Sequence, residues 1–168
     1  YGCTNLTKVT IPDSVTKIGN NAFENCDGLT SIELPDNLKT IGAYAFSDCD
    51  NIVEFELPNT IETIGYRTFF SCDTLSKVNY PTSWNQCSGY SSYPTVYGDI
   101  FKECAQLKSI VIPEGVTAIP GHAFSGCANF ESIIIPNSLE VIGNCAFENC
   151  DGLTTIELPE NLTTIGYY

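Results

Sequence analysis

Apolar residues recur along the chain with a period of 23 residues. Aligned on the pattern Leu-x-x-Ile-x-Ile/Leu-Pro, the units are 23 residues apart, except for one interval of 32, and begin at Leu6, Leu29, Ile52, Leu75, Leu107, Phe130 and Leu153. Positions 1, 4 and 6 of the unit are apolar, which predicts a strand over positions 2 to 6 with one buried face. Position 7 is proline in every unit. Because proline donates no N–H, we expect it to end each strand.

The second half of the unit carries a different pattern. Positions 10 and 13 form another apolar pair, which indicates a short extended segment. Glycine at position 14 suits a corner that needs positive φ. Positions 17, 18 and 21, usually Ala, Phe and Cys, fit a single helical turn with Phe as the core filler. One unit cannot bury these side chains alone, so the pattern predicts stacked coils, about 4.8 Å apart where strands pair.

The unit, seen most cleanly in residues 29–51, resembles the BspA-like class of leucine-rich repeats, known from surface proteins of anaerobic bacteria and some parasitic protists. The resemblance covers the chain except for an insertion in the fourth unit. This unit departs from the commoner leucine-rich pattern because its Cys ladder lies at position 21. The resemblance implies a leucine-rich-repeat solenoid of the α/β horseshoe type, mostly β with short one-turn helices and a parallel sheet on the concave face. It also implies an extracellular or cell-surface interaction domain with no catalytic residues and no cofactor.

The repeats run through the whole sequence and predict one leucine-rich-repeat domain over residues 1–168. Its irregular fourth repeat spans 75–106 and holds nine extra residues. Both termini cut through a unit, and no polar capping unit is visible. We therefore expect the chain to be a fragment of a longer array.

Charge narrows the partners. Seven Lys and Arg residues stand against 20 Asp and Glu, which gives a formal net charge of -13. This acidity argues against nucleic acid and anionic membrane surfaces, which favour basic patches. No apolar run approaches the roughly 20 residues of a membrane helix, so no membrane insertion is expected in this segment.

The cysteines look structural rather than reactive. Seven of the nine form the position-21 ladder, and the repeat explains them as buried free thiols; Cys87 and Cys145 lie outside it. His122, the sole histidine, occupies variable position 16, which predicts a solvent-facing side chain without a catalytic role. Aspartates recur at position 22 and would suit Ca²⁺. Ala105 and Ala128 replace the acid in two units, however, so we assign no metal site.

A ligand has two candidate locations. Positions 3 and 5 point outward from the predicted sheet and are not fixed by the core pattern. The inserted segment 82–99 contains the one Trp and three Tyr, a composition suited to contacts. The candidate ligand-binding residues are Glu33, Glu54, Glu56, Lys77, Asn79, Tyr90, Tyr93, Val111 and Ile134. The alternatives are a solvated strand face and a tolerated insertion.

Three functions follow from this pattern. The leading hypothesis is a surface recognition or adhesion module that binds a protein or a glycan. The second is a passive structural spacer. The third, a polysaccharide-active enzyme on a β-helix, fits poorly with one His and few Arg residues, so we expect no enzymatic activity.

Overall fold

The chain folds as a parallel β-solenoid of about six turns, in which each repeat unit forms one coil. The computed structural model describes residues 1–80 and 98–168. The front strands lie within positions 3 to 5 of the unit: β1 (Lys8–Thr10), β3 (Ser31–Glu33), β5 (Glu54–Phe55), β7 (Lys77–Val78), β8 (Ser109–Val111) and β10 (Ser132–Ile134). The side strands lie at positions 12 and 13: β2 (Lys17–Ile18), β4 (Thr40–Ile41), β6 (Thr63–Ile64), β9 (Ala118–Ile119), β11 (Val141–Ile142) and β12 (Thr164–Ile165).

Equivalent positions of neighbouring coils pair with each other. β1 pairs in parallel with β3, β5 with β7, and β8 with β10. The side strands form two ladders, β2–β4–β6 and β9–β11–β12. The Lys108 N–H donates to the Ser76 carbonyl at 3.4 Å across the 32-residue interval. The insertion therefore leaves the front of coil five stacked on coil four.

Proline ends the front strands, as the sequence predicted. Each described front strand stops at least two residues before its proline, so the strands are shorter than positions 2 to 6. After the proline the chain turns, and the position-10 N–H donates to the proline carbonyl, as in Leu38 to Pro35 at 3.0 Å. This turn carries each coil from the front strand to the side strand.

The third side of each coil differs from the prediction. No helix is present in residues 1–80 and 98–168, and the expected helical turn is replaced by consecutive turns. Positions 16 and 20 hold left-handed backbone in each coil, for example Asn21 at φ 57° and Asn25 at φ 55°. A right-handed helix cannot contain such residues. The geometry instead lets the N–H groups of positions 16, 18 and 20 donate to the following coil, as in Phe46 to Thr68 at 2.9 Å.

The role predicted for the position-14 glycines was wrong. Gly42 and its equivalents do not have positive φ. Instead, a Cβ on Gly42 would lie 2.5 Å from the Asn20 backbone nitrogen of the preceding coil. Glycine is therefore required at this corner because adjacent coils approach too closely for any side chain.

The core between the three sides is a ladder of identical rings. Phenylalanines at position 18 stack nearly parallel, with centroids 5.4–5.8 Å apart in consecutive coils: Phe23, Phe46, Phe69, Phe101, Phe124 and Phe147. The Leu or Ile of position 1 packs beside them, and Leu29, Ile52 and Leu75 are buried. No single coil can enclose these rings, so burial depends on stacking.

Candidate functional site

The front face consists of the side chains that positions 3 and 5 project from the front strands. Between them, position 4 turns inward, so Phe55 is buried while Glu54 and Glu56 are exposed. The face is therefore free of packing duties. All seven candidate residues outside the insertion lie on it and are exposed: Glu33, Glu54, Glu56, Lys77, Asn79, Val111 and Ile134.

Ion pairs neutralise part of the acidic patch on this face. Lys8 Nζ lies 3.3 Å from Glu33 Oε1, and Lys77 Nζ lies 3.2 Å from Glu54 Oε2. The second pair is directly cross-strand, because Glu54 stands opposite Lys77 in the β5–β7 ladder. Exposed pairs of this kind contribute at most about 1 kcal/mol. They leave Glu56 as the candidate carboxylate without an ion pair to any described residue.

The Asn79 side chain is held by the backbone of the neighbouring coil. Its Oδ1 accepts from the Leu57 N–H at 2.7 Å, and its Nδ2 donates to the Leu57 carbonyl at 2.8 Å. The amide thus extends the parallel pairing of the front strands beyond β5 and β7. Its contribution is first to the sheet, and a ligand would meet a fixed rather than a mobile group.

An apolar pair occupies the other half of the front face. Val111 and Ile134 stand opposite each other in the β8–β10 ladder. Their exposed fractions are 57% and 61%, high for aliphatic side chains. The two face the same side and offer one continuous apolar surface to a partner. Tyr90 and Tyr93, the candidates in the insertion, lie outside the described residues.

The cysteine ladder has a clear structural role. Each buried ladder thiol from coil two onward donates to the position-18 carbonyl of the preceding coil at 3.0–3.1 Å, as Cys104 does to Phe69. Burial raises the pKa of the Cys49, Cys104 and Cys127 thiols, and it raises that of Cys150 to about 11. These groups are neutral hydrogen-bond donors at physiological pH, and the ladder members from Cys26 to Cys150 are buried as predicted.

The position-22 aspartates do not converge on an ion. Burial, followed by the charges of Asp73 and Asp27, raises the pKa of Asp50. Among the described residues, these aspartates do not bring three ligand atoms together as a metal site requires. The recurrent acids fit their place in the turn after the Cys ladder.

A cluster that sequence reasoning missed lies on the third side of coils five and six. The ring nitrogens of His122, Sγ of Cys145 and the carboxylate of Glu148 lie within 4.8 Å of one another. His122 had been predicted to face solvent, and the structure leaves its ring only partly exposed. The signal was present in the repeat, because His122 and Cys145 share position 16 in consecutive units.

Parallel ladders, uniform 23-residue coils and a stacked aromatic core define a leucine-rich-repeat solenoid. The family model described as "BspA type Leucine rich repeat region", with six copies, matches residues 1–95 and 94–168. The chain therefore belongs to the BspA-type leucine-rich repeat family, as the resemblance had indicated. No curated protein gives a significant match.

Solved structures of bacterial repeat proteins share this fold. The leucine-rich repeat protein of T. pallidum superposes with a TM-score of 0.80 at 32% identity, over 91% of this chain and 67% of that one. A leucine-rich repeat protein of Bacteroides ovatus gives a TM-score of 0.73 at 30% identity, over 98% and 46%. A leucine rich cell surface protein of Faecalibacterium prausnitzii gives 0.65 at 27% identity, over 97% and 48%. The chain thus spans two thirds of the first protein and about half of the other two.

The described residues also bear on membrane insertion. In residues 1–80 and 98–168, no helix has the length and apolar character needed to cross a bilayer.

Proposed function

We propose that this chain is a cell-surface or secreted recognition module that binds a protein or glycan partner through its front face. The observation that carries the proposal is the exposed pair Val111 and Ile134, which lie side by side on a regular parallel sheet. Buried positions already satisfy the core, so no folding requirement explains two adjacent exposed aliphatic side chains. Clustered exposed apolar residues are typical of interaction surfaces.

The charged half of the front face supports the same proposal. Glu33, Glu54 and Lys77 form cross-coil pairs, and Glu56 adds a carboxylate without such a pair among the described residues. An apolar contact area bordered by charges is the usual composition of a protein-binding surface. The rigid coil stacking fixes these groups in advance, which lowers the entropy lost on binding.

Localisation follows from the relatives. The similar Faecalibacterium protein is described as a cell surface protein, which supports an exposed position for this chain. The repeat family and the buried, neutral thiols favour binding without catalysis. We propose no cofactor and no nucleic-acid partner, given the net charge of -13.

Single-aspartate variants test the binding face. The chain is applied to an array of glycans and of secreted and surface proteins, and Val111→Asp, Ile134→Asp and Thr117→Asp are compared with the wild type. We expect the first two variants to lose at least about tenfold in affinity for any bound partner, because a charge enters an apolar contact. Thr117→Asp, an exposed control beside a side strand of the same coil, retains binding. The reverse ranking would place the binding surface elsewhere.

A further inference from the structure

The His122 cluster, defined as His122, Cys145 and Glu148, combines three metal-ligating chemistries at one point. An imidazole, a thiol and a carboxylate lie within 4.8 Å of one another, and no other group of three such residues does so in the described part of the chain. The stacking causes the convergence, since His122 and Cys145 occupy position 16 of adjacent coils and Glu148 position 19. Repetition of the fold therefore places unlike side chains in one column.

The backbone of the cluster is fixed before any ligand arrives. His122 and Cys145 both hold left-handed backbone, at φ 56° and 55°. The His122 N–H donates to the Asn144 carbonyl at 2.9 Å, and the Cys145 N–H to the Tyr167 carbonyl at 2.7 Å. The Glu148 N–H donates to the Cys145 carbonyl at 3.2 Å. A site built on such hydrogen-bonded positions is preorganised.

One polar atom of the cluster lacks a partner. His122 Nδ1 is shielded from solvent and makes no hydrogen bond to any described residue. Its nearest acidic atom is Glu148 Oε2 at 4.0 Å, which is too long for a hydrogen bond. Two ligands of one tetrahedral zinc ion stand roughly 3.3–3.8 Å apart, given Zn–N and Zn–O near 2.0 Å and Zn–S near 2.3 Å. A bound ion would therefore satisfy Nδ1 after a small convergence of the side chains.

The neighbouring groups do not compete for these ligands. Asp99, the position-16 residue of coil four, accepts from Arg67 Nε at 3.0 Å and from the Tyr66 hydroxyl at 3.1 Å. Ser125 Oγ donates to Glu148 Oε2 at 3.3 Å and steadies that carboxylate as an outer-shell hydrogen bond would. The carboxylate thus keeps acceptor capacity for an ion.

We propose that His122, Cys145 and Glu148 bind one Zn²⁺ ion, with water at the fourth position. The mixed nitrogen, sulfur and oxygen set suits this borderline-soft cation better than Ca²⁺ or Mg²⁺, which prefer oxygen alone. On binding, the Cys145 thiol releases its proton to solvent and coordinates as thiolate. The ion bridges coils five and six and stabilises their stacking, a role independent of the front face.

Titration of the intact chain with ZnCl₂, in a reducing agent that does not chelate zinc, tests this site. We expect one equivalent bound by calorimetry, with affinity reduced at least about tenfold in His122→Ala and Cys145→Ser, because even outer-shell changes cost roughly 10–100-fold. Cys3→Ser is the matched control: its exposed thiol lies far along the array, and binding stays at the wild-type level. Wild-type affinity in both cluster variants would overturn the assignment.

Two further measurements distinguish coordination from loose association. Co²⁺ in place of Zn²⁺ gives a thiolate-to-metal charge-transfer band in the wild type and in Cys3→Ser but not in Cys145→Ser. Zn²⁺ also raises the melting temperature of the wild type, since an ion bound only by the native state stabilises it by mass action. A Co²⁺ complex without the thiolate band, or no zinc binding at all, refutes the proposal.

Discussion

At the scale of single residues, the tightest requirement is for glycine at position 14. A Cβ on Gly42 would meet backbone atoms of Asn20 and Gly19 in the preceding coil. Gly19 occupies the same repeat position, but nothing lies within 4 Å of a Cβ there. The two glycines thus share sequence context and differ only in whether another coil packs against them.

The pair gives a controlled test of close coil packing. Gly42→Ala is expected to destabilise the chain by about 1–3 kcal/mol, because the added methyl must displace backbone. Gly19→Ala is neutral or stabilising by up to about 1 kcal/mol, because alanine restricts the unfolded chain. Urea denaturation of both variants measures the difference. Equal losses in the two would contradict a packing origin.

At the scale of the repeated element, the cysteine ladder joins consecutive coils. Each buried thiol donates to a Phe carbonyl of the preceding coil, so it satisfies a backbone acceptor that the turn leaves unpaired. The commoner leucine-rich unit uses an asparagine ladder at another position. Here the smaller and less polar thiol fits between stacked phenylalanine rings.

The ladder predicts a loss of stability at alkaline pH. The Cys150 pKa is raised from 9.0 to about 11 by burial, so between these values the folded chain holds a proton that the unfolded chain releases. Stability from this thiol is complete below pH 9 and declines as pH rises towards 11. The stability difference between the wild type and Cys150→Ala should therefore shrink from pH 8 to pH 11.

Denaturant melts of both proteins at the two pH values check this. Cys3→Ala serves as the control, because it removes an exposed ladder thiol and leaves the core intact. A difference between the wild type and Cys150→Ala that is the same at both pH values would count against a protonated, buried thiol in the fold.

At the scale of the whole molecule, stability is distributed along one axis. Each coil contacts mainly its neighbours, and the phenylalanine ladder runs through them without a central core. A ring in the middle of the array stacks on two others, whereas the ring of the first coil stacks on one. The cost of losing a ring should therefore depend on its place in the stack.

Phe69 and Phe23 compare these situations. Phe69 is fully buried between Phe46 and Phe101, and Phe23 is half-buried against Phe46. Phe69→Ala should cost about 3–5 kcal/mol, the usual range for a buried ring. Phe23→Ala should cost clearly less. Denaturation midpoints and hydrogen exchange of the coil amides measure both, and equal costs would argue against one-dimensional stacking.

The sequence by itself determined the coil length, the front strands, their end at proline and the identity of the core side chains. These features repeat every 23 residues, and a period of that kind can only be buried by stacking. It also determined which residues form the front face, because alternation along a strand decides whether Glu54 points outward and Phe55 inward. That information is local and survives without a structure.

Only the tertiary structure decided the backbone of the third side and the meetings between coils. Left-handed φ at Tyr44 or Arg67 carries no signature in residue type, since hydrogen bonds to the next coil select it. The reason for glycine at position 14 likewise lies in the preceding coil rather than in its own conformation. The approach of His122 to Cys145 and Glu148 depends on how side chains of successive coils lean across a column. Such distances are set by packing in three dimensions, which a one-dimensional repeat does not encode.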